Sequence, residues 1–231
     1  MSSSGVLRPR PPIPRRTPGT SRGLLAGLCV VLAAVAAGDL FSLYIGARLR
    51  ADVETDGGFA FVSEDRLDQA DHLFLVYDQI HVFGLAACAA VFITWFHRMR
   101  RNAGSLAPDR FGRGPGWAIG AWFVPVAGLW MPYRIAVDMW SAGARATPAA
   151  GPAGVSFWPV NLWWGSFTGS VLLGWYANTG YRRAEDLHPL LDAGKLGVAA
   201  AALNIVAAAS AAYFAFRLTH VLNLATAGGS R

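Results

Sequence analysis

Four polar side chains stand inside apolar runs of this chain: Asp39 in the run 24–46, Asp78 and His81 in 73–96, and Asn204 in 196–216. As helices rising 1.5 Å per residue, with the outer ends of the first two runs at 46 and 73, these runs place the polar groups in one layer. Asp39 lies about 10 Å, Asp78 about 8 Å, and His81 and Asn204 about 12 Å below the same membrane face. Asp78 and His81 are three apart and share a helix face, which an antiparallel neighbour carrying Asp39 can meet. Such a layer admits three chemistries. Neutral imidazole and ionised carboxylates converging at about 2.0 to 2.2 Å would hold a divalent metal. A chain of Asp and His would relay protons or ions. The same groups, hydrogen-bonded between helices, would hold the bundle together. An ionisable side chain in hydrocarbon costs roughly 2.5 to 3.5 kcal/mol on insertion scales, so each needs a partner or water. The spacing permits a metal without demanding one, and no metal or other cofactor is expected. No nucleophile, base and orienting acid can be assembled, so no catalytic residue is expected either. His72, His97, His188 and His220 fall at or beyond the ends of the runs, where a solvated or headgroup-facing imidazole is the ordinary state.

The elements that must position this layer follow from composition. The 231 residues are 54% hydrophobic and 15% charged, and the apolar residues fall in long blocks, which excludes an ordinary soluble domain. The runs 24–46, 73–96, 157–180 and 196–216 each supply the roughly 20 residues of one helical crossing. Before the first lie Arg8, Arg10, Arg15, Arg16 and Arg22 with no acid; after the second lie Arg98, Arg100, Arg101, Arg110 and Arg113 against Asp109. Both stretches are expected in the cytoplasm, beside anionic lipid. Orientation explains these arginines and no aromatic platform accompanies them, so nucleic acid is not an expected partner. The loop between the first two runs is acidic and faces outward.

The first 22 residues, rich in Pro and Arg, have almost nothing to bury and are expected to form a disordered cytoplasmic tail. Polyproline ligand patterns such as Arg8-x-x-Pro11-x-x-Pro14 occur within it. Arg22, the following apolar run and Ala34-Val35-Ala36 imitate a cleaved signal, but the run continues to Gly46, as an uncleaved anchor does. Asp52, Glu54 and Asp56 ahead of Gly57 resemble half of an EF-hand loop, whose twelfth position is here Ser63 where Glu is required, so a solvated acidic turn is expected. Ser63 is a candidate N-cap, which starts the second helix at Glu64. Cys29 and Cys88 sit within the first two runs as small buried hydrophobes, not as a disulfide.

Between these runs lies a segment, 117–131, that is uncharged yet only about 22 Å long as a helix, against a hydrocarbon core of about 30 Å. Pro125 and Pro132 interrupt any longer helix. It is expected to form a Trp/Pro re-entrant hairpin dipping in from the cytoplasmic side, its broken backbone covered by neighbouring helices. Arg134, Asp138, Ser141 and Arg145 recur at helical spacing in 133–145, which describes an amphipathic helix along the surface. The alternative lets 117–137 cross with a kink at Pro125, giving five spans and an external C-terminus; the Lys and Arg counts are nearly equal for both. In the last two runs, Gly165 and Gly169, Ser166 and Ser170, Gly197 and Ala201, and Ala208 and Ala212 repeat at four-residue spacing. Such small residues let helices approach closely, within the bundle or at a homo-oligomer contact.

The order Trp117-x-x-Gly120-x-Trp122-Phe123-Val124-Pro125, then Leu129-Trp130-x-Pro132-Tyr133, Asp138-x-Trp140 and Trp163-Trp164 resembles the bacterial family known as domain of unknown function 4328, over roughly residues 70 to 218. Gly128 stands where Asn often precedes the Leu-Trp pair, so the broken backbone must be satisfied otherwise. The resemblance implies an integral membrane protein and supplies no reaction, substrate or catalytic residue. The expectation is therefore an all-α integral membrane protein of the cell membrane. It would have four spans and a cytoplasmic N-terminus, a membrane domain over 23–218 and a short tail over 219–231. As a noncatalytic scaffold or accessory subunit, it would present its Trp-rich segment to lipid, to a membrane-protein partner or to a second copy. The alternative is a small proton- or ion-coupled channel, transporter or sensor using the Asp/His layer.

Overall fold

A computed structural model describes residues 19–58, 61–146, 155–183 and 187–228. Among them there is no strand. The elements are α1 (Gly19–Thr55), α2 (Glu64–Leu106), α3 (Trp117–Gly120), α4 (Met131–Ala146), α5 (Trp158–Arg183) and α6 (Leu187–Gly228), with single 3₁₀ turns at Pro108–Arg110 and Ala127–Leu129. Three of the four expected runs fall inside α1, α2 and α6, and the run 157–180 falls in α5 but for Phe157, which precedes the helix. Three helices are long and apolar enough to cross a membrane: Arg22–Thr55, Glu64–Leu106 and Leu191–Thr226. The chain is thus a multi-pass membrane protein by composition and helix length. α5 is not among the three, because its glycines, serines, asparagines and tryptophans dilute its apolar residues.

The long helices outrun a bilayer. At 1.5 Å per residue the 43 residues of α2 extend about 64 Å, twice a hydrocarbon core of about 30 Å. The turn from α1 to α2 depends on Gly57 and Gly58, whose φ of 83° and 138° suit a residue without Cβ. Arg66 then ties the turn, lying 3.4 Å from both Asp52 and Asp56. Those carboxylates, like Glu54 paired with Arg50 at 2.8 Å, are engaged by arginine. α2 begins at Glu64, with Ser63 extended before it (φ −63°, ψ 143°), though the Ser63 hydroxyl makes no capping bond; Glu64 and Asp65 supply the charge that a helix start favours.

α1 is antiparallel to α2 and α6, and α5 to α6, so the molecule has two ends. The basic end gathers the start of α1, the end of α2, the 107–130 segment, α4, the start of α5 and the end of α6. Leu28, Trp95, Phe96, Met99, Met139, Val160, Phe214, Leu218 and Leu222 are fully buried there in one cluster. α5 and α6 meet through small residues: a Cβ on Gly169 would stand 3.0 Å from Leu203, and one on Gly180 3.5 Å from Ala193. Small residues at such positions let helix backbones approach closely.

Two boundaries differ from expectation. The tail expected over 219–231 is helical to Gly228, because Leu218, Leu222 and Ala225 continue a buried stripe at helical spacing. The disordered tail expected over 1–22 lies, through residue 18, outside the described residues, and α1 takes up residues 19–22.

Candidate functional site

α1 brings Asp39 to the middle of the bundle, where it is 2% exposed. Tyr77 of α2 donates its hydroxyl to Asp39 Oδ1 at 2.9 Å, and Asn204 of α6 donates its amide to Oδ2 at 2.6 Å. His81 approaches with Nδ1 3.6 Å from Oδ1, too far for a hydrogen bond, and that nitrogen is buried without a partner. Its ring lies against Tyr77, centroids 5.0 Å apart. Glycine lets the helices close on this layer: Cβ atoms at Gly38 and Gly84 would each stand 3.6 Å from a side chain of the opposite helix, Tyr77 and Val35. Two hydrogen bonds, one to each oxygen, offset part of the cost of burying the carboxyl group.

Three of the four residues singled out by depth therefore meet, and Asp78 does not. It is exposed on the outer side of α2, and Tyr77 takes the inward position instead. Tyr77 is four residues before His81, on the same face, so helical spacing points to it once neutral phenols are counted as hydrogen-bond donors. Among the described residues no group of His, Cys, Asp and Glu is placed to hold a metal. Cys29 and Cys88 are free thiols, both half-buried.

The Trp- and Pro-rich residues assemble at the basic end. Residues 117–130 form no continuous helix: α3 is one turn, further turns follow, and the 3₁₀ turn leads into α4, so no single kinked helix runs over 117–137. Ala118, Ala121 and Ala127 face inward, while Phe123, Pro125, Val126, Leu129 and Trp130 face outward. Gly128, at the position of the family's frequent Asn, serves the broken backbone with its own amide, which donates to Val124 O at 2.7 Å. Its Cα also packs so closely on the preceding turn that a Cβ would lie 3.4 Å from Ala121 O.

Trp122 is the inward anchor of this segment. Its ring meets Phe92, Phe96, Trp164 and Phe167 at centroid distances of 5.8 to 6.2 Å. Trp163 lies at the centre of the cluster, stacked on Phe214 at 4.9 Å with 7° between planes and on Phe92 at 5.4 Å. Trp95 donates its indole N–H to Thr219 at 3.2 Å. Tyr133 donates to Asn161 Oδ1 at 2.8 Å and lies beside Trp164. Trp117 stays exposed near Gly120, with the Arg113 guanidinium 5.1 Å from its ring.

The expected surface helix exists as α4, but its apolar face is covered by protein. Pro132, Ala136, Met139 and Trp140 are buried, and Trp140 donates to Ser156 O at 3.0 Å. Gly143 fits against α6, where a Cβ would stand 2.9 Å from Val221. Ser141, read as part of the outward polar stripe, is buried, and Asp138 is half-buried. Burial pushes the Asp138 carboxyl above its usual range, against the opposing pull of Arg110, Arg134 and Arg100.

A family model matches residues 60–220, and the chain belongs to that family, described as Domain of unknown function (DUF4328). No curated protein and no solved structure matches it.

Proposed function

We propose that this family member is a noncatalytic membrane scaffold or accessory subunit, which displays the Trp/Pro hairpin in the cytoplasmic leaflet to a transmembrane helix of a partner protein. In this reading α1, α2, α5 and α6 all cross the bilayer, the N-terminus is cytoplasmic, and the hairpin 117–131 enters from the basic end and returns. Exposed Trp158 and Trp175 support a crossing by α5: they stand about 26 Å apart along it, close to the thickness of hydrocarbon, with an aromatic at each boundary. The inward alanines of the hairpin satisfy the requirement that non-helical backbone at membrane depth be covered by protein. Arginines at the basic end face anionic lipid, and no nucleic acid is involved.

The observation that carries the reading is a contrast. Asp39 has both oxygens occupied and almost no exposure, whereas Phe123 is 73% exposed beside exposed Val126, Leu129 and Trp130. The polar layer is closed on itself, and the ridge is open. A photo-crosslinking residue placed at Phe123 in cells tests this: an adduct with a membrane protein, lost when Leu129 and Trp130 become alanine, is the expected result. Adducts with lipid alone would overturn docking and leave a lipid anchor.

One observation favours a second reading, a proton- or ion-coupled conduit. His81 Nδ1 is buried, unpartnered and near Asp39, and Asp78 stands on the outer side of the same helix. Under that reading Asp78→Asn abolishes a pH-dependent flux in reconstituted vesicles. Vesicles without proton or ion flux remove it.

A further inference from the structure

We infer that the open pocket bordered by the end of α2 and the loop 111–115 binds a phosphate group, carried by an anionic phospholipid headgroup or present as free phosphate. The pocket holds about 420 Å³ and is lined by Arg100, Arg101, Gly104, Phe111 and Arg113 among others. Arg100 makes it a built site rather than a basic surface. Only 6% exposed, it lies with its guanidinium 3.5 Å from the centroid of Phe111, and donates from Nη2 to Arg113 O at 2.8 Å. Among the described residues no carboxylate reaches it at ion-pair distance; Asp138 on α4 acts on it only through space. A buried guanidinium without an anion at contact is costly. One turn on, Gly104 makes room for the guanidinium itself, since a Cβ there would stand 2.7 Å from Arg100 Nη1.

The arrangement matches phosphate chemistry. A guanidinium presents a planar fork of donors to an anion with oxygens on every side, and Arg101 also lines the pocket, while the Arg113 guanidinium lies over Trp117 and donates to Met131 Sδ. The amides of Gly112, Arg113 and Gly114 donate to no backbone carbonyl among the described residues and are open to water or to an anion. Next to the pocket, and sharing Gly114 with it, is a groove of about 380 Å³ lined by Gly114, Gly116, Trp117, Gly120 and Val124. Arginines beside an uncharged, largely apolar groove suit a phosphodiester that continues into glycerol and acyl chain. Free phosphate would use the arginines alone. The site does not depend on the outward ridge of the hairpin and stands whether or not a partner docks there.

Native mass spectrometry of the full chain in an uncharged detergent, titrated with short-chain phosphatidylglycerol, tests the proposal, with inorganic phosphate titrated in a separate arm followed by thermal shift. The expected result is one tight adduct, weakened roughly tenfold or more by Arg100→Gln or Arg101→Gln. Arg98→Gln, outside the pocket, should leave it unchanged. Gly104→Val keeps every charge but displaces the Arg100 guanidinium from its seat on Gly104 and should weaken binding too, which separates a shaped site from general attraction to a basic end. Should Arg100→Gln fail to accumulate, exposed Arg101 and Gly104→Val carry the test. Stabilisation by inorganic phosphate at equal affinity assigns the site to free phosphate; binding by lipid alone assigns it to the headgroup. Lipid and phosphate binding indifferent to all three pocket variants overturns the proposal.

Discussion

Buried Asp39 and half-buried Asp138 are treated in opposite ways, and the difference separates the two ends of the molecule. Asp39 accepts bonds from Tyr77 and Asn204 on two other helices, and so joins α1, α2 and α6 at one point. Asp138, at the basic end, is half-buried among Arg110, Arg134 and Arg100 at longer range, with burial as the largest influence on it. Around Asp39 the helices meet by small residues and hydrogen bonds; around Asp138 they meet through large aromatic rings. Lipid offers no apolar driving force, so a membrane layer needs polar contacts and close packing to specify its helix partners. Toward the run ends at the basic end, burial of rings against one another adds the attraction of large aromatic surfaces. The polar layer thus selects which helices meet, and the aromatic cluster supplies most of the cohesion.

The comparison breaks most visibly at Trp163. Removing that ring, buried between Phe214 and Phe92, opens a cavity in the aromatic cluster, and Trp163→Ala should destabilise by about 3 to 5 kcal/mol in detergent melts. A loss no larger than that at Asp39 would put cohesion in the polar layer instead. Asp39→Asn should cost less, roughly 1 to 3 kcal/mol, because one carbonyl oxygen cannot serve both donors and its new amide faces another donor. Tyr77→Phe on that background should then cost little, since the bond it removes is already compromised. A full additional loss would mean that Tyr77 is held by something other than Asp39.

Depth was legible in the sequence and rotation was not. A rise of 1.5 Å per residue was enough to put Asp39, His81 and Asn204 in one layer. Whether residue 77 or 78 turns inward is a rotation of about 100° about α2. That rotation is fixed by Phe92, Trp95, Phe96 and Met99, which pack at the other end of the helix. The same limit applies to α4. Its helical spacing was visible, but what covers its apolar face depends on α2 and α6 arriving there, so Trp140 could be read equally as a surface anchor or as core. The small residues of α5 and α6 announced close packing without naming the partner, and Gly169, Gly174 and Gly180 are used within the chain, whereas Gly165 meets nothing within 4 Å. The broken backbone of 117–131 was legible from Pro125 and Pro132. The inward turn of Trp122 was not, because it depends on rings from α2 and α5.

A smaller effect sharpens the account of the polar layer. Ser166 on α5 and Ser210 on α6 lie 3.0 Å apart, oxygen to oxygen, and each also bonds a backbone carbonyl of its own helix. Because those carbonyl bonds stay available to Ser210, Ser166→Ala should cost only about 0.6 kcal/mol, the average for such bonds between membrane helices. A loss rivalling that of Asp39→Asn would extend the organising layer to the α5–α6 contact.

The smallest effect is a pH dependence at Asp138, and its sign discriminates the two treatments of buried acids. Burial raises the folded carboxyl above its ordinary value of 3.8, so the folded chain binds that proton more tightly than the unfolded chain does. Its contribution to stability is then greatest below the ordinary value and declines as pH rises through the raised folded value, because the charge must form in a partly desolvated place. Asp138→Asn keeps the shape and removes the charge. The variant should therefore melt at or above the temperature of the unsubstituted protein near neutral pH, and this advantage should shrink as pH falls toward 3.8. Melting curves of both proteins across that interval measure the difference directly, with other carboxylates common to the pair and cancelling. If the variant instead loses stability near neutral pH and recovers in acid, then Arg110, Arg134 and Arg100 outweigh burial. Asp138 would then act as Asp39 does, a charge held by its neighbours, and the division between the two ends would not rest on how they treat an acid.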